Sequence, residues 1–272
     1  TVGNRSVEAT TLNNIGLLWV DQKQPELAIV FLKQSVSQFE ILRQDIRGLP
    51  QETQKTYTQT VEKTYRGLAD LLLKADRILE AQQVLDLLKV QELNHYLKNV
   101  RGQTKSLYTL PPETEILQKY TTLQTSAIAL GQELTTIRKI PETSRTPQQL
   151  QRLTELDRLQ TELSQQFNAF IDRPDVQKLV AALSPKILRQ TVDTADLDGL
   201  RGNLSKLNAV LIYPLILDDR LELIITTPDS PPLRRTVNVS RLDSIRKLNA
   251  FVRHCKILVV MLNRSPKNST TG

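Results

Sequence analysis

Apolar side chains return at helical spacing from the start of the chain: Leu12, Ile15 and Trp19, then Leu27, Phe31 and Leu32. The polar stretch DQKQPE, residues 21–26, separates the two runs, and its Pro25 suits the first turn of a following helix. A second such pair comes from Tyr65, Leu68, Ala69 and Leu72, followed by Ala81, Leu85 and Leu88. Beyond LPPETE, residues 110–115, the pattern predicts polar-rich helices around 113–140 and 147–171, separated by IPETSRTP. Leu150, Leu153, Leu156, Leu159 and Leu163 give the second of these an amphipathic face, as in a helical hairpin or coiled coil.

Near residue 207 the period changes. NAVLIYPLILDDRLELIITTP reads as two strands with Asp218 and Asp219 at the hairpin turn. LRRTVNVS, residues 233–240, reads as a third strand, with Val237 and Val239 on one face and Thr236 and Asn238 on the other. Ser240 then caps a helix carrying Leu242, Ile245, Leu248, Phe251 and Val252. The predicted fold is mainly α: helical hairpins and further helices, then a small α/β element of a three-strand β-meander plus a helix.

The first helix pair places Leu12, Ile15, Gly16 and Trp19 ahead of Ala28, Leu32 and Ser35, a spacing that resembles a tetratricopeptide repeat (TPR). Small residues at Gly16 and Ala28 let two helices approach closely, while Leu12, Trp19 and Leu32 fill the space around them. In the second copy the small pair is Ala69 and Ala81. Ala28 and Ala81 stand 53 residues apart, against a usual repeat of about 34. The excess, DIRGLPQETQKTYTQTV, is expected to lengthen the flanking helices.

LEAQQVLDLLKVQELNHYL, residues 79–97, followed by AVLIYPLILDDRLELIITTPDSPPLRRTVNVSR, residues 209–241, resembles a CHAT (caspase-like) family protein of the cyanobacterial type. Such proteins carry TPR repeats ahead of a caspase-like domain. The resemblance implies TPR-like repeats over 1–110, a polar helical hairpin or linker helices over 111–200, and the N-terminal part of a CHAT-like domain over 201–256. Residues 257–272, an apolar run and a Ser/Asn/Thr-rich tail, depart from the family and read as aberrant, as from a frameshifted or prematurely terminated product. The family's catalytic pair lies in a His-Gly and a Ser-Ala-Cys-like segment. Neither motif occurs in this sequence.

The chemistry-bearing residues are few. His254 stands beside Cys255, the single cysteine, yet neighbouring side chains diverge by about 100° on a helix and oppose each other on a strand. A thiolate and its base must meet within about 3 Å, so His254 and Cys255 are read as packing residues. His95, with no second ligand spaced to join it, reads as a structural histidine. Asp218 and Asp219 read as turn residues rather than paired carboxylates. No Gly-rich phosphate loop or GxSxG elbow appears. The expectation is therefore no catalytic, cofactor-binding or metal site and no enzyme activity in this chain.

Hydrophobic residues at 39% with only 4% aromatics suit amphipathic helices. The formal net charge of +7 is concentrated, because residues 201–272 hold 12 of the 36 Lys/Arg and only 5 of the 29 Asp/Glu. These charges stand singly or in pairs without interleaved aromatics, which disfavours nucleic acid as a partner and leaves a basic binding segment at 201–272 as an alternative. No apolar run approaches the roughly 18 residues of a membrane span, and one cysteine fits a reducing, cytoplasmic setting. The leading expectation is a non-catalytic protein–protein interaction module whose TPR-like groove takes a peptide or protein ligand, with no small-molecule substrate. The alternative is a CHAT-type cysteine peptidase whose catalytic segment lies outside this chain. A chain ending near residue 200 is expected to be the more soluble, since three strands and a helix leave an apolar sheet uncovered.

Overall fold

The computed structural model describes residues 2–93, 107–184, 201–202, 204–206, 208–230 and 232–246. It is mainly helical, with a small antiparallel sheet toward its C-terminal end. The helices are α1 (Val2–Asp21), α2 (Pro25–Asp45), α3 (Gln51–Lys74), α4 (Ile78–Leu93), α5 (Pro111–Arg138), α6 (Pro147–Asn168) and α7 (Pro174–Ala182). The strands are β1 (Leu211–Ile216), β2 (Arg220–Thr226) and β3 (Leu233–Asn238). Two compact units result: one holds α1–α4 and the sheet, the other α5–α7.

In the first unit the two helical hairpins repeat each other in detail. Lys23, after α1, adopts a left-handed conformation at φ 59°, and Asp76, after α3, does so at φ 60°. The amide of Gln24 donates to Trp19 O at 2.9 Å, and that of Arg77 to Leu72 O at 2.8 Å. Ala28 N then bonds Gln24 O, as Ala81 N bonds Arg77 O, each at 3.0 Å. Every one of these pairs is offset by 53 residues, the spacing read from the two alanines. Of the 17 extra residues, Asp45 ends the 21-residue α2 and 51–61 open the 24-residue α3, as expected, whereas 46–50 form the turn between them.

Close approach within the first hairpin depends on Gly16. A Cβ there would lie 2.6 Å from Leu32 Cγ, so the glycine lets α1 settle onto α2. Ser35 Oγ donates to Ala9 O at 2.7 Å across the same contact. Helix α2 buries residues 27–32 without a break and takes Lys33, Ser35, Glu40 and Arg43 under cover as well, as befits a central helix. Tyr65, Leu68, Ala69 and Leu72 of α3 and Ala81, Leu85 and Leu88 of α4 are completely buried in the same core.

The sheet has the order β1-β2-β3, both pairs antiparallel. Tyr213 opposes Ile224 and Glu222 opposes Thr236. Asp218 and Asp219 form the two-residue turn, closed by Leu217 N to Arg220 O at 2.9 Å. Leu211, Tyr213, Leu215 and Ile224 share one face, and they belong to the same core as Leu68, Leu72, Val84 and Leu88 of the helices. The sheet's inner face is built into the repeat core, so ending the chain near residue 200 strips apolar cover from α3 and α4, a cost the solubility expectation did not include. On the other face Ile216 and Leu221 pack with Leu223, Val239 and Ile245. Ser240 caps the following helical residues, accepting from Asp243 N at 3.3 Å.

The second unit is a smaller assembly. Thr146 caps α6 in a reciprocal capping box with Gln149. Of the leucines on the expected face of α6, Leu156 is buried whereas Leu150 is about half exposed. Tyr120 meets Phe167 and the buried Phe170 edge-on, both with centroids 5.7 Å apart. Helix α7 has no counterpart in the sequence reading, which ended its second polar helix at 171. It supplies the buried Val176.

Candidate functional site

The residues singled out by their chemistry are placed as follows. Asp219 pairs with Arg220 at 3.1 Å and Asp218 with Arg241 at 3.4 Å, both at an exposed turn. His95, His254, Cys255 and the apolar run 257–262 lie outside the described residues. Among the described residues, no group of three or more His, Cys, Asp or Glu side chains is placed to hold a metal ion. No helix among them is long and apolar enough to cross a membrane.

The surface that stands out is formed by the first helix of each hairpin. Thr64 Oγ1 of α3 donates to Asn13 Oδ1 of α1 at 2.8 Å, making the two helices neighbours. Asn13, Leu17 and Val20 share a stripe of α1 at spacings of four and three residues. Leu17 is 50% exposed and Val20 38%; Leu18 at 50% and Val7 at 67% lie further round the same helix. An amphipathic helix at the edge of a core hides such side chains, and α1 leaves them open.

The 53-residue offset maps Leu17 onto Asp70 and Val20 onto Leu73. In the second hairpin this stripe is covered. Leu73 is completely buried, Asp70 pairs with Arg220 of β2, and Leu73 O accepts from Arg234 Nη1 of β3 at 2.5 Å. Thr64 and Leu73 are nine residues apart, half a turn round the helix, so α3 meets α1 on one side and the sheet on the other.

This junction is organised by Glu222, which is fully buried. Its carboxylate accepts from Arg220 Nε at 2.8 Å, from Arg234 Nη2 at 2.8 Å and Nε at 3.0 Å, and from Thr236 Oγ1 at 2.7 Å. Burial works to raise the Glu222 carboxyl, but the hydrogen bonds from Arg234, Thr236 and Arg220 outweigh it and hold the group down at about 2. Tyr213 Oη donates to Asp86 Oδ1 of α4 at 2.6 Å. Burial, reinforced by the Asp86 charge, pushes that phenol well above its ordinary value. Thr226 Oγ1 lies 3.3 Å from Gln82 Oε1.

A second buried set ties the hairpins together. Lys33 of α2 pairs with Glu80 of α4 and donates to Tyr108 O at 2.9 Å. Arg77 holds the same Glu80 through bonds of 2.7 and 2.6 Å. Burial opposes ionisation of Glu80, yet Arg77 and Lys33 lower its pKa. Tyr65 Oη donates to Glu40 at 2.7 Å, and Arg43 pairs with the same carboxylate. These groups pair with one another and tie α2 to α3 and α4.

The Glu222 cluster is not among the sites expected from the sequence. Its signal was available: Arg220 and Glu222 lie on the same face of β2 as the core residue Ile224, a charged pair where alternation demands apolar side chains. Two of the twelve basic residues of 201–272, Arg220 and Arg234, are thereby committed to internal partners. The chain matches no protein-family model, no curated protein and no solved structure.

Proposed function

We propose that this chain is a non-catalytic protein-interaction module in which the exposed stripe of α1, with Leu17 and Val20 at its centre, takes an apolar-faced peptide or helix of a partner protein. The observation that carries this reading is the contrast between equivalent positions. The stripe of α3 already serves as a docking surface, for the sheet, while the matching stripe of α1 presents exposed apolar side chains. Covering the part of two such side chains that is still exposed contributes roughly 1 kcal/mol each, a modest anchor that further contacts of the segment add to. The resemblance to TPR repeats supports the same reading, since stacked helical hairpins bind peptides along one face. The resemblance to CHAT proteins supports a role in which this recognition acts on an attached caspase-like domain. The absence of His-Gly and Ser-Ala-Cys-like segments from the sequence supports a non-catalytic role for this chain.

The test is a peptide array probed with the full chain and with a Leu17→Glu, Val20→Glu double variant. Peptides with apolar residues at helical or alternating spacing are expected to bind the parent chain and lose at least tenfold affinity for the variant, whose helical circular dichroism stays unchanged. Equal binding to both chains rejects this surface.

A further inference from the structure

The way the sheet is fastened points beyond peptide recognition and is independent of it. Four side-chain bridges cross from the strands to the second hairpin: Arg220 to Asp70, Arg234 to Leu73 O, Tyr213 to Asp86, and Thr226 to Gln82. Both arginines are aimed by one carboxylate. Arg220 and Arg234 each spend part of the guanidinium on Glu222 and a further N–H on α3, while Arg220 Nη1 turns to Asp219 in the hairpin. Leu211, Tyr213, Leu215 and Ile224 meanwhile complete the core of α3 and α4.

Repeat stacks need terminal units that cover the last repeat's open side. We propose that the sheet is the C-terminal cap of this helical stack, locked by Glu222, and that sheet and second hairpin open as one cooperative unit, so that a disturbance in the repeats reaches β2 and β3. A sheet folding by itself beside the helices would instead keep its own core and lose protection without them. Here the inner-face residues have no core except the one they share.

Amide hydrogen exchange on the full chain tests this, with α5–α7 as an internal reference. Glu222→Gln keeps the side-chain volume but removes the charge that aims both arginines. It is expected to lower protection about tenfold in β1–β3 and in α3–α4 alike, because weakening a buried charge-assisted network costs about 1.4 kcal/mol or more. The α5–α7 amides stay unchanged. Tyr213→Phe, which removes a single bridge and keeps the ring, is expected to give a smaller loss in the same two regions. Val61→Ala, at a buried position in the otherwise mostly exposed first half of α3, is expected to lower protection in β2 and β3 as well. Loss confined to the strands in the first two variants, or strands untouched by Val61→Ala, overturns the cooperative cap. Unchanged exchange everywhere in Glu222→Gln overturns the lock.

Discussion

The two helical hairpins are built on one plan and end in opposite circumstances. Both turn through a left-handed residue, Lys23 or Asp76, with the same hydrogen bonds, and both bring small residues into the contact between helices. The first carries apolar Leu17 and Val20 on its outer stripe and leaves them exposed. The second carries Asp70 at the matching position and hands it to Arg220, while Leu73 goes under cover. The lesson concerns where specificity resides. Turn chemistry and the small–large pattern set the hairpin, and the outer stripe, free of that duty, sets what the hairpin touches.

Breaking the shared plan gives the largest effects. Leu72→Ala, in the fully buried seam of the second hairpin, is expected to cost about 2–5 kcal/mol, read as a fall in the midpoint of chemical unfolding. Gly16→Val drives a Cβ into Leu32 and is expected to cost about 1–3 kcal/mol. Gly67→Ala on α3 is the counter-test: nothing lies within 4 Å of an added Cβ, so it should stabilise by about 0.5–1 kcal/mol. If both glycine variants destabilise equally, the close approach at Gly16 is not what distinguishes them.

Acid sharpens the difference in cover. The Glu222 carboxyl lies at about 2 in the folded chain, below an unfolded glutamate at about 4.3. Its contribution is therefore complete above the ordinary carboxylate range and is lost as pH falls from there toward about 2. Strand amides should accordingly lose protection in that window before those of α5–α7 do, as an acid series of exchange spectra would show. The smallest effect belongs to the second unit. Arg138→Ala removes an exposed pair with Asp157 and is expected to change stability by less than about 1 kcal/mol, as measured by thermal unfolding.

Much of this architecture was legible in the sequence where spacing alone decides. Gly16, Ala28, Ala69 and Ala81 announced the helix contacts, and Asp218 and Asp219 announced the turn. Helix α7 was missed because its nine residues hold a single fully buried side chain, Val176, too little for a periodic signal. The alternation of β1 and β2 predicts a face to be covered and cannot name the cover. That cover is α3 and α4, and the polar half of the junction, Asp70 to Arg220 and Asp86 to Tyr213, joins residues 150 and 127 positions apart. The stripe through Leu17 and Val20 is not legible in the sequence for a related reason, since exposure is a property of what fails to arrive.

Those long separations carry a consequence for synthesis. The whole of α5–α7 is made after the second hairpin and before the strands that cover it. Ring closure over so many residues is slow compared with forming adjacent helices. A nascent chain therefore passes through a stage in which α3 and α4 have emerged while their outer flank waits bare, and that interval is when a chaperone, or a misplaced neighbour, has its opening.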